Sequence, residues 1–183
     1  MPHFGAAAIC DALNSDEFAR AFTALGKLRR SRTDLVLGRA GALILTGELA
    51  RSTMDCDVLY SDPDMGRLLD DIRAVANELH ISAGWLNGSI QSYLDILPTN
   101  YRTRLRTLPT SGNLYISVLH RQDAIVMKLF AGRPRDLEDV AVLGPTTADI
   151  DFAQRELPRL RRIDERRARN METALDQFRN AIR

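Results

Sequence analysis

The chain has 183 residues, 45% of them hydrophobic and 27% charged, with a formal net charge of +1. This balance excludes a wholly disordered chain and is enough for one domain with a sizeable core, while near-neutrality neither demands nor forbids nucleic acid, since a basic face can form on a neutral molecule. Cys10 and Cys56 offer neither a disulfide framework nor a metal-type pair, and no signal peptide or apolar run of membrane-spanning length is seen, so a single cytoplasmic domain (1–183) with no membrane partner is expected.

In chain order, Phe18, Phe22, Leu25 and Leu28 recur at helical spacing and predict an amphipathic helix over 16–30 with a basic end. "DLVLG" (34–38) reads as a short buried strand and "GALILTG" (41–47) as a tightly packed helix bounded by glycines. "CDVLYS" is a second strand. The helix after it is expected to start with Asp62 as N-cap and Pro63 at the first position, and to bury Leu68, Leu69, Ile72, Val75, Ala76 and Leu79. The stretch from Gly84 to Pro109 predicts a short helix and a loop. "NLYISVLH" (113–120) predicts a strand and "RQDAIVMKLFAG" the helix after it. "RPRDLEDVAVLGP" predicts a short helix entered through Pro134 and stopped at Gly144, and an Arg-rich helical tail runs from Asp149 onward.

The chemistry concentrates in "RSTMDCDVLYSD" (51–62). Residues two apart on a strand share a face, so Asp55 and Asp57 leave the sheet together while Cys56 and Val58 point the other way. Two such carboxylates repel unless a cation sits between them or water screens them at an exposed edge.

Three patches stand in order: "LGRAGALILTG", "RSTMDCDVL" and "VMKLFAGRPRDLEDVAVL", with "WLN" at 85–87 between the last two. Together they resemble bacterial nucleotidyltransferase-fold proteins related to the AbiEii toxins, in the superfamily that includes DNA polymerase β. The likeness covers roughly residues 34–143. It implies an α/β (α+β) nucleotidyltransferase fold: a small, mixed, twisted sheet flanked by helices, with a helical C-terminal region over about 149–183. It also implies Mg²⁺-dependent transfer of a nucleoside monophosphate from an NTP to an acceptor, tRNA, another RNA or a protein, and the role of toxin beside an antitoxin protein.

Carried over residue by residue, the resemblance implies that Asp55 and Asp57 hold the metal and that Gly38, Arg39 and Gly41 form the triphosphate turn. Arg51 and Thr53 would contact phosphate or base. Lys128 would neutralise phosphate, and Asp136 would orient a basic group or assist the acceptor. Two departures stand out: Arg39 takes the place of the second small residue of the glycine turn, and "NLYISVLH" supplies no third carboxylate. Both favour the alternative of an inert binding or regulatory module on the same fold. Blander readings stand beside the functional ones. The Lys128 stem can cover apolar surface with its ammonium in water, Asp136 can be a charge at a helix start, and Asp139 reads as structural. Asn87 reads as a residue that packs and turns the chain. The C-terminal arginines read either as an RNA-backbone contact or as a solvated helix face with local ion pairs.

Overall fold

The computed structural model describes residues 12–109 and 111–182; Cys10 lies outside the described residues. Among these residues five strands form one mixed sheet: β1 (Thr33–Gly38), β2 (Cys56–Asp62), β3 (Leu86–Asn87), β4 (Arg106–Thr107) and β5 (Leu114–Val118), in spatial order β3-β2-β1-β5-β4. β1 runs antiparallel to β2 and parallel to β5, while β2 and β3 are parallel. Among the described residues seven α-helices flank it: α1 (Ser15–Leu28), α2 (Arg39–Leu45), α3 (Leu69–Leu79), α4 (Arg121–Ala131), α5 (Pro134–Leu143), α6 (Thr147–Arg161) and α7 (Glu165–Ile182). This is the α/β architecture expected from the sequence.

Local chemistry accounts for the helix starts. The Asn14 side chain accepts from the Asp16 and Glu17 amides while Glu17 reaches back to the Asn14 amide, a reciprocal cap that begins α1. Thr146 and Asp149 do the same for α6, and Pro134 occupies the first turn of α5. α1 buries Phe18, Phe22 and Leu25, and Phe22 meets Trp85 edge-on at 5.2 Å between ring centroids. The indole N–H of the fully buried Trp85 donates to the Ile72 carbonyl of α3 at 3.2 Å, so one residue ties the strand β3 region to two helices. α4 is buried continuously from Asp123 to Phe130, because α2, α6 and α7 all pack on it.

Several boundaries differ from the sequence reading. β2 runs through Asp62, which pairs with Asp34, so Asp62 is a strand residue; Asp64 caps the turn instead, accepting from the Gly66 amide, and a 3₁₀ turn over Met65–Leu68 precedes α3. Leu69 is therefore 43% exposed at the rim rather than part of the buried stripe. The tail from Asp149 is two helices, α6 and α7, packed on each other. There Arg161 pairs with Glu172, Arg167 with Asp164 and Arg169 with Glu165, all partly or well exposed. These pairs belong to the solvated-face reading of the arginines.

A bulge places the key strand residues. Val36 pairs with Tyr60, but the next residue, Leu37, pairs with Val58, leaving Leu59 as the extra residue of β2. Because side chains alternate with a period of two, this single step changes which β2 residues share a face with which β1 residues, and it sets Asp57 directly opposite Gly38.

Candidate active site

Asp55, just ahead of β2, and Asp57, its second residue, line one cavity of about 570 Å³. Each carboxylate has one oxygen held by a neutral donor. The Asn87 amide donates to Asp55 at 2.8 Å and the Ser89 hydroxyl donates to Asp57 at 2.8 Å. Asn87 also turns the chain, since its side-chain oxygen accepts the Ser89 amide at 2.9 Å. It sits in β3 beside Asp57, so the parallel β2–β3 pairing delivers both donors to the acid pair. Burial raises the Asp57 carboxyl above its ordinary range. The Ser89 bond opposes this, the nearby Asp55 charge adds to it, and Arg39 and Arg133 pull the other way.

Arg39 begins α2, and its guanidinium lies 3.6 Å from the free oxygen of Asp57. Its backbone has φ 55°, a left-handed conformation that costs a residue with a side chain about 1–2 kcal/mol. The neighbouring glycines serve packing. A Cβ on Gly41 would stand 2.6 Å from the Cys56 sulfur, and one on Gly38 would stand 2.9 Å from Ile90 and Leu59 side-chain carbons. Neither glycine lines the cavity, whereas Arg39 and Ala40 do. Where the sequence suggested a loose glycine turn, Gly41 lets α2 seat tightly on β2, Gly38 makes room for Leu59 and Ile90, and Arg39 takes the left-handed position.

The opposite wall comes from α4 and α5. Gly132, at φ 63°, supplies the left-handed corner that folds α5 back on α4 and sets Lys128 against the start of α5. Lys128 is only 3% exposed, and its ammonium donates to Asp139 at 2.6 Å and Asp136 at 3.4 Å. Its head does not emerge into water, so the surface-stem reading is corrected. Asp139 also takes a two-bond contact from Arg51, at 2.9 and 2.8 Å, and Asp136 is held by Arg133 at 2.6 Å. Burial alone would push Asp139 up, but Arg51 and Lys128 together hold it below its usual range. Asp139 is thus the anion on which Arg51 and Lys128 converge. Thr53 lines the same cavity, while its backbone forms a two-way bridge with Leu13.

Of the nine residues singled out from the sequence, Asp55, Asp57, Arg39, Arg51, Thr53, Lys128 and Asp136 meet at this cavity, and Gly38 and Gly41 do not line it. Ser89, Arg133, Arg135 and Asp139 join them. Ser89 had a signal in the sequence, the Asn-Gly-Ser run after "WL", but nothing local says which acid its hydroxyl meets.

Comparison with curated proteins finds no match, and neither does comparison with solved structures. A family model does match, over residues 16–178, which takes in the sheet, the acid pair and both walls of the cleft. By that match the chain belongs to the family described as nucleotidyltransferase of unknown function (DUF6036).

Proposed function

We propose that this protein moves a nucleoside monophosphate from an NTP to an acceptor, with Mg²⁺ held by Asp55 and Asp57. The observation that carries the reading is a contrast between two acid pairs in one cleft. Asp136 and Asp139 are hydrogen-bonded to Lys128, Arg51 and Arg133, whereas Asp55 and Asp57 take their hydrogen bonds from the neutral Asn87 and Ser89, and the nearest cation to Asp57, Arg39, stands back at 3.6 Å. An all-oxygen pair of that kind suits a hard divalent cation completed by phosphate and water oxygens. When bound, such an ion supplies charge neutralisation on the phosphates during displacement.

The chain's own residues do the remaining work. Arg39 stands beside Asp57, and Arg133 is held by Asp136 at the same cavity, so both present fixed positive charge where a triphosphate enters. Lys128 positions: locked between Asp136 and Asp139, it holds the two acids that orient Arg133 and Arg51. The acceptor oxygen attacks the α-phosphorus, the bond to the β-phosphate bridging oxygen breaks, pyrophosphate leaves, and the hydroxyl proton passes to water at the open mouth of the cleft. The acceptor class, tRNA, another RNA or a protein, and the role of toxin beside an antitoxin rest on the likeness to AbiEii-type proteins. The alternative, a nucleotide-binding module without turnover, draws support from the full commitment of Asp136 and Asp139 to cations, which leaves only one acid pair to act.

The test is transfer of label. Each α-labelled NTP is incubated with total RNA and Mg²⁺, and label on RNA or protein is followed. Wild type labels an acceptor, and Asp57→Ala lowers the rate at least ~100-fold, the scale expected for losing charge stabilisation in a site of this kind. Tight NTP binding without labelling by any of the four nucleotides would reject the transferase and leave the binding module.

A further inference from the structure

The cleft does not end at the metal-type acids. Beyond the Arg51–Asp139 bridge it opens into a second lobe of about 590 Å³, and Arg51, Pro134, Arg135 and Asp139 line both lobes. The bridge thus stands between two adjoining cavities. Its two sides differ in chemistry. The first lobe is lined by five cationic and four carboxylate side chains. The second has an apolar surface of Leu49, Ala50, Pro134 and Val142, with Arg135 and Glu138 at its edge.

Two observations bear on what the second lobe could hold. Arg135 and Glu138 make no ion pair among the described residues, unlike the charged groups on the bridge beside them. Val142 is 69% exposed, more than any other large hydrophobic residue described. Arg135, Glu138, Asp139 and Val142 follow one another at steps of three, one and three along α5, which places them on one face of that helix. The face that carries the bridge therefore also carries an apolar contact and a hydrogen-bonding carboxylate. A nucleobase asks for this combination: apolar faces to be covered and a polar edge to be read.

We infer that the second lobe is the base subsite for the NTP whose phosphates occupy the first, and that Glu138 selects bases bearing an exocyclic amine. The inference rests on the proposed nucleotide reading of the acid pair. Pro134 and Val142 cover the base, and the Glu138 carboxylate, which only accepts, takes an N–H from the amine of cytosine, adenine or guanine. Uracil sets a carbonyl oxygen at the position of the cytosine amine, and that oxygen meets a carboxylate with lone pair against lone pair. CTP and UTP are the sharpest probes because they differ only along this edge.

Affinities of CTP, UTP and inorganic tripolyphosphate, each with Mg²⁺, are measured by calorimetry on the full chain. Wild type is expected to bind CTP at least ~10-fold more tightly than UTP, the lower end of what one well-made base contact discriminates. Glu138→Gln, whose amide can donate or accept, brings the two within about threefold by the same contact arithmetic. Val142→Asp, at an exposed position, weakens both nucleotides and leaves tripolyphosphate unchanged. Equal binding of CTP and UTP by wild type would overturn the assignment, as would an unchanged ratio in Glu138→Gln. Variants that alter acceptor use while nucleotide affinities stay fixed would overturn it too, by giving the lobe to the acceptor. A CTP preference without labelling of any acceptor rejects transfer and keeps the base subsite; labelling with no preference does the reverse.

Discussion

Removing the Asp139 carboxylate should destabilise the protein far more than removing its lysine partner, and removing the lysine should then repair part of the damage. In Asp139→Ala the Lys128 ammonium, 3% exposed, keeps only Asp136 at 3.4 Å, an acid already held by Arg133 at 2.6 Å. Arg51 loses both of its bonds to the acid but is 24% exposed and can recover water. Breaking a buried pair from one side typically costs about 3–5 kcal/mol, which for a chain of this size lowers Tm by roughly 10 °C. Lys128→Met presents a different balance, because Asp139 keeps its two-bond contact with Arg51 and Asp136 keeps Arg133. Its cost should be about 1–2 kcal/mol. The double variant Asp139→Ala/Lys128→Met carries no stranded buried ammonium and should be more stable than Asp139→Ala alone. Urea denaturation, read as a shift in midpoint at constant slope, measures all three. A double variant less stable than Asp139→Ala would refute the reasoning, as would a cost for Asp139→Ala no larger than that for Lys128→Met.

Arg39→Gly should be more stable than Arg39→Ala by about 1 kcal/mol, since both remove the guanidinium but only glycine relieves the left-handed backbone at φ 55°; equal melting temperatures would contradict the strain. Gly41→Ala should cost about 1–3 kcal/mol by forcing a methyl against the Cys56 sulfur and backbone, and a neutral result in chemical denaturation would show that α2 can move away from β2. Mg²⁺-dependent NTP binding should be lost on acidification earlier than an ordinary aspartate predicts. Burial raises Asp57, the ionised form binds the cation, and so affinity is complete above the raised pKa and falls as pH drops through it. Ser89→Ala, which removes a bond favouring the charged form, should move that midpoint further up; a downward move in a pH series of calorimetric titrations would rule the cause out.

The longer elements from α1 to α5 were legible in the sequence because they follow from local rules, whereas the two-residue strands β3 and β4 and the break between α6 and α7 were not, being too short or too dependent on their neighbours to leave a periodic pattern. Apolar spacing marked α1, α3 and α4, Pro134 and Gly144 bracketed α5, and the two-residue step brought Asp55 and Asp57 toward one cleft. The acids and the arginine-rich "GRPRD" run could be named for the same reason, as charged side chains at the ends of apolar segments. What local rules could not reach was who meets whom. Asp139 reads as structural when seen alone. It becomes the centre of the opposite wall only because the Gly132 corner folds α5 onto α4 and the loop before β2 brings Arg51 across 88 residues of chain. Gly38 and Gly41 read as a phosphate turn because glycine permits close approach, but whether the approaching body is a ligand or a neighbouring strand is decided by packing, and here Cys56, Leu59 and Ile90 fill the space. Likewise Lys128 is buried because α5, folded back on α4, sets Asp136 and Asp139 against its ammonium. Periodicity is a property of a segment. Charge pairing and burial belong to distances between segments, and only the tertiary structure sets those.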